Sequence, residues 1–103
     1  MTLGGAASPV PQEPADRLVA AVLAVPGVAA LHPGMFGEVG TYLPGRRIAG
    51  IRITDHTVDV HLVVVFGVAV RDTAAAVRAT VAALHPGATV NVTVEDVAPA
   101  GPP

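Results

Sequence analysis

Residues 57–66, Thr-Val-Asp-Val-His-Leu-Val-Val-Val-Phe, place an apolar side chain at every second position or better, a period that a strand can bury and a helix cannot. The alternation expects Val58, Val60, Leu62, Val64 and Phe66 on one face and Asp59, His61, Val63 and Val65 on the other. Residues 48–54 carry the same signal, with Ile51 and Ile53 on the apolar side and Arg52 and Thr54 opposite. Only Asp55 and His56 separate the two runs, so the spacing predicts a tight antiparallel hairpin. Its apolar face needs a cover, and the flanking segments must supply it.

Upstream, Pro14 suits the first position of a helix and Asp16 its first turn. Leu18, Ala21, Val22 and Val25 follow at helical spacing, Val19 and Leu23 widen the stripe, and Pro26-Gly27 ends the run. Residues 28–31 read as a short strand. Downstream, Asp72 is the expected N-cap of a helix whose buried stripe is Val77, Val81 and Leu84, closed by Pro86-Gly87. Residues 89–97 alternate as a last strand with Val90, Val92 and Val94 inward and Thr89, Asn91, Thr93 and Glu95 outward. The order α-β-β-β-α-β defines an α+β fold. It is expected to be a two-layer sandwich with a mixed sheet of three to four strands, two helices on one face and a polar outer face. The strand–helix–strand unit over 58–97 requires a right-handed crossover. Pro- and Gly-rich residues 1–13 and 99–103 read as disordered tails around a single domain, 14–98. The heptapeptide Val-Ala-Ala-Leu-His-Pro-Gly occurs at 28–34 and again at 81–87, in different predicted elements.

Composition narrows the chemistry. The chain has 103 residues, enough for one domain, and with two Phe, one Tyr and no Trp its core must be built from Val, Leu, Ile and Ala. Cysteine is absent, which excludes disulfides, thiol nucleophiles, Cys-zinc sites and iron–sulfur clusters. There is no lysine and the net charge is −2, so no basic field exists to hold a phosphate backbone. The first fourteen residues lack a basic n-region, and the apolar run 18–31 is interrupted at Pro26-Gly27 and too short to cross a bilayer. A cytoplasmic chain without direct membrane insertion is expected.

Candidate sites are few. His32, His56, His61 and His85 share no helix face, and the cluster Asp55, His56, Asp59 and His61 is spread along one hairpin, so neither a metal nor another cofactor is expected. No serine or threonine stands in a triad setting, and Asp59 and Glu95 read as solvating carboxylates on the outer face. The glycine-rich residues 34–40 lack the Lys-Ser/Thr and helix of a phosphate loop, and Glu38 has the wrong sign for a nucleic-acid clamp. An enzyme is not expected. Arg46-Arg47 is expected to pair with Asp55 or Asp59. Residues 32–47 form a long irregular loop carrying Met35, Phe36, Tyr42 and Leu43, which either packs over the core, the favoured reading, or offers a contact surface. On the outer face Val63 and Val65 make an apolar patch bordered by Arg52, Thr54, His61 and Thr93. Residues 48–54 and 89–97 contain neither Lys nor Pro, so at least one is expected to be an open sheet edge. Patch and edge together predict self-association, with Met35, Phe36, Tyr42, Arg46 and Arg47 as a further contact set. The alternative is a monomer whose loop 32–47 covers the patch.

Three stretches carry a family resemblance. They are Val-Asp-Val-His-Leu-Val-Val-Val-Phe-Gly at 58–67, the helix at 72–84, and Val-Asn-Val-Thr-Val-Glu-Asp-Val at 90–97. Residues 18–28 fit the same pattern, and Thr-Tyr-Leu-Pro-Gly-Arg-Arg-Ile-Ala-Gly-Ile-Arg-Ile at 41–53 looks like its short actinobacterial members. Over about 14–97 the chain resembles the alkaline-shock, Gls-type envelope stress response family. The resemblance implies a non-enzymatic scaffold of cell-envelope homeostasis, a homo-oligomer that reaches the membrane through a membrane-anchored partner protein. It brings no catalytic, cofactor or metal residues. A small nucleic-acid-associated α/β domain is the alternative from another class. An outer face without stacking aromatics and with little positive charge argues against nucleic acid.

Overall fold

In the computed structural model, which describes residues 14–99, the alternating run becomes the centre of a four-stranded mixed sheet. The elements are α1 (Pro14–Leu23), β1 (Val28–Leu31), β2 (Gly40–Leu43), β3 (Arg46–Ala49), β4 (Ile51–Ile53), β5 (Thr57–Val65), α2 (Val70–Leu84) and β6 (Thr89–Ala98). The expected tail at 1–13, and all but the first residue of the one expected at 99–103, lie outside the described residues.

One edge of β5 runs parallel to β6 from Thr57 opposite Thr89 to Val65 opposite Ala98. Its other edge is divided. β4 pairs antiparallel with Val58–Val60, and β1 pairs antiparallel with the stretch from Leu62 to Val64. His61 marks the junction, its N–H donating to Gly50 O at 2.9 Å and its C=O accepting from His32 N–H at 2.8 Å. Val58, Val60, Leu62 and Val64 are fully buried, whereas Asp59, His61 and Val63 are half-buried, as the alternation requires. Leu18, Val22 and Val25 join Val77 and Val81 in one cluster with Ile51, Val58, Val60 and Leu62, so both helices lie on the same face of the sheet. Each fully buried Val or Leu contributes about 1.5–3 kcal/mol.

Several expectations are corrected. Residues 48–54 are not one strand. The chain reverses at Gly50, whose φ of 91° is disfavoured for side chains other than glycine, and Arg46–Ala49 pairs instead with Gly40–Leu43. The loop 32–47 is therefore partly a hairpin, turned by Pro44 and by Gly45 at φ 75° in the type II pattern, and the order is α-β-β-β-β-β-α-β. β5 ends at Val65, which leaves Phe66 in the following turn and 64% exposed instead of in the core. α2 starts at Val70 with Ala69 as an N-cap that supplies no side-chain bond; Asp72 lies in its first turn. Thr73 shares the buried stripe with Val77 and Val81, and Asp72 in the first turn still meets the helix dipole favourably. Leu23 and Leu84 are exposed, so both helical stripes are narrower than the sequence suggests.

Candidate functional site

The outer face of the sheet is polar and internally paired. Asn91 donates to Asp59 Oδ1 at 2.9 Å, and His61 Nδ1 meets Glu95 Oε2 at 2.5 Å with both side chains about one-fifth exposed. A bulge creates the second contact. Leu62 lies opposite Val94 and Val63 opposite Asp96, so Glu95 is the extra residue, re-aimed toward His61. Thr93 lies opposite His61 in the register and is exposed. The carboxylates Asp59 and Glu95 are thus bonded within the face, and the sequence cluster Asp55, His56, Asp59 and His61 does not converge. Among the described residues no group of three His, Asp or Glu is placed to hold a metal ion.

The expected patch changes shape. Val63 is half-buried beside Ala30, and Val65 is exposed near Phe66 and Val97 at one end of the sheet. Arg52 pairs in register with Asp59, toward the other end, and with Thr54 it does not border the valines. Its guanidinium instead donates to Glu38 O at 2.8 Å.

That bond belongs to a fastened loop over residues 32–39. His32 Nδ1 accepts from Gly34 N–H at 3.0 Å, Gly37 N–H donates to Gly34 O at 3.1 Å, and Val39 N–H donates to Pro33 O at 2.8 Å. Phe36 N–H donates to Glu38 Oε1 at 3.0 Å, and Arg47 Nη2 to Gly37 O at 2.6 Å. The Glu38 carboxyl is held below its ordinary pKa by its own backbone N–H and that of Phe36, with the charges of His61 and Arg52 adding to the effect. Val39 is the hydrophobic side chain this loop buries. Met35 and Phe36 stand out at 78% and 87% exposure, and Tyr42 is exposed under the Arg47 guanidinium, 5.4 Å from the ring centroid. The expected packing of Met35, Phe36 and Tyr42 over the core is not found.

Arg46 does not pair with Asp55 or Asp59. It makes a two-pronged bridge to Asp16 on α1, at 2.9 and 2.6 Å, which lowers the Asp16 pKa. Arg47 bonds Gly37 and stacks on Tyr42.

The two expected edges differ. The outer edge of β4 is closed by Thr41, whose hydroxyl donates to Ile51 O at 2.6 Å and accepts from Ile53 N–H at 3.3 Å. The outer edge of β6 has no strand partner among the described residues. Sequence reading named Glu38 and Glu95 without pointing to the contacts they make, and assigned Thr41 no role. The bulge did leave a trace, since Glu95-Asp96 interrupts the Val-x-Val alternation. Among the described residues, no helix is long and apolar enough to cross a membrane. Comparison with known proteins finds no family model, curated relative or solved structure that matches this chain.

Proposed function

We propose that this chain is a non-enzymatic, self-associating scaffold and partner-binding module of cell-envelope homeostasis, of the alkaline-shock, envelope-stress type that its sequence resembles. The observation that carries the reading is Met35-Phe36, two large apolar side chains held in solvent on a loop whose backbone is fixed by Glu38, Arg47 and Arg52. An aromatic and a methionine on a rigid support lose little freedom on docking, and such residues anchor protein interfaces. The partner in this reading is a membrane-anchored protein, with the chain itself on the cytoplasmic side. The nucleic-acid alternative is less favoured, because Arg46, Arg47 and Arg52 are engaged by Asp16, Gly37 and Glu38.

Cell fractionation tests the reading. The wild-type chain should sediment with membranes through a protease-sensitive component and elute above monomer mass at micromolar concentration. Phe36→Ser should release it to the soluble fraction while leaving its melting temperature unchanged. A wild-type chain that is soluble and monomeric overturns the proposal.

A further inference from the structure

We infer that the outer edge of β6 docks onto the same edge of a second copy, the two sheets joining antiparallel about a two-fold axis at Val92. This deepens the self-association proposed above and rests on it.

The direction of the backbone groups carries the argument. Thr89 N–H donates into the sheet, to His56 O at 2.8 Å. In a parallel ladder alternate residues turn to the same neighbour, so Thr89, Asn91 and Thr93 face β5 while the N–H and C=O of Val90, Val92 and Val94 face outward. Beyond the bulge the pattern closes, because Asp96 Oδ1 accepts Val97 N–H at 2.8 Å. Among the described residues the bare stretch is therefore Val90 to Val94, which holds no Lys, Pro or bulge to guard it, the bulge at Glu95 lying just beyond its end.

That stretch is complementary to itself. With the axis at Val92, Val92 faces its own copy and Val90 faces Val94 of the second chain, each pair exchanging both N–H···O bonds. On the outer face Asn91 falls beside Thr93 of the second chain, and Thr89 beside Glu95. The charges fix the direction. Glu95 and Asp96 are the charged residues of β6 and sit at one end, so antiparallel pairing sets them against uncharged Thr89 and Ala88. Parallel pairing would set Glu95 against Glu95. On the core side Val90 and Val92 are only partly buried, and a second strand covers their open flank.

The absence of cysteine gives a clean test. Val92→Cys places two thiols opposite each other at the axis, within disulfide reach, and mild diamide oxidation should trap a covalent dimer. Val90→Cys, offset from its copy by four residues along the strand, should not cross-link. Val92→Pro removes an outward N–H without touching the β5 ladder, and should raise the dissociation constant at least about tenfold by sedimentation velocity. An associated wild type whose Val92→Cys form does not cross-link, or which Val63→Glu or Val65→Glu dissociates instead, overturns the edge and leaves self-association standing through the outer face. A wild type that stays monomeric removes both.

Discussion

Replacing Gly50 by alanine should be among the most damaging single-methyl changes available to this fold. Gly50 is buried at φ 91°, with its N–H bonded to Val39 O and its C=O to His61 N–H, both at 2.9 Å. A Cβ there would stand 2.6 Å from Leu31 Cβ and 3.2 and 3.3 Å from the His32 backbone N and O, neighbours that cannot swing away. The left-handed conformation adds about 1–2 kcal/mol for an L-residue. The forced contact adds about 1–3 kcal/mol. Lower entropy of the unfolded alanine chain returns about 0.4–1 kcal/mol. The net loss is about 3 kcal/mol, which in a domain of this size lowers the melting temperature by about 12–24 °C. Gly45→Ala is the control, because its φ is 75° but nothing lies within 4 Å of the added Cβ. It should cost about 1 kcal/mol or less, the backbone contribution alone. Thermal and urea unfolding followed by circular dichroism reads both. Equal losses for the two variants would refute the close approach of Gly50 to β1, and with it the break between β3 and β4.

Three further outcomes are expected. Leu62→Ala should lose about 2–5 kcal/mol, and His61→Ala on the opposite face less than half as much; similar losses in urea unfolding would mean the faces are inverted. Thr41→Val leaves Ile53 N–H and Ile51 O without their hydroxyl partner, and should cost about 1–3 kcal/mol with faster hydrogen exchange at Ile53, whereas unchanged exchange would show the edge closed by other means. The lowered carboxyls of Asp16 and Glu38 contribute stability that is present above their unfolded pKa values and lost as pH falls through the folded ones. Urea midpoints should therefore drop below about pH 4, and Asp16→Asn with Glu38→Gln should flatten that drop; an unaltered profile would mean these carboxyls are not held low.

The sequence disclosed the sheet centre because burial there follows the simplest rule. Val58, Val60, Leu62 and Val64 are apolar for one reason, and each is fully buried. The β2–β3 hairpin obeys no such rule. Tyr42 and Arg46 are exposed, the strands have four residues each, and the legible trace was Pro44-Gly45. The repeated heptapeptide shows the limit sharply. Val28–Leu31 is a strand against β5, while the same four letters at 81–84 form the last turn of α2. Nothing local separates them. The second copy extends a helix already eleven residues long, and the first meets an unfilled edge. The Asp16 partner of Arg46 lies thirty positions away in sequence, beyond any local pattern.

The geometry at His61 explains how one small fold can hold apart the two contact surfaces proposed above. His32 and Gly50 bond to the C=O and N–H of this one residue, so the chain leaves the sheet and returns to it at a single point. Residues 33–49 are then an excursion whose ends already meet. Its Val39 is buried and its Thr41 closes the β4 edge, but Met35, Phe36, Tyr42 and Arg46 contribute nothing to the main core cluster. The sheet would need no such length to join β1 to β4, because both strands line the same edge of β5. What the excursion adds is a sealed edge on one side of the sheet and an apolar tip above it, while the opposite edge, β6, has no strand partner among the described residues. The His61 side chain joins the two sides, since its ring is bonded to Glu95 in the bulge that ends the bare stretch of β6. The proposed partner on the tip and the proposed second copy on the edge would therefore occupy opposite flanks of β5, and neither surface would obstruct the other.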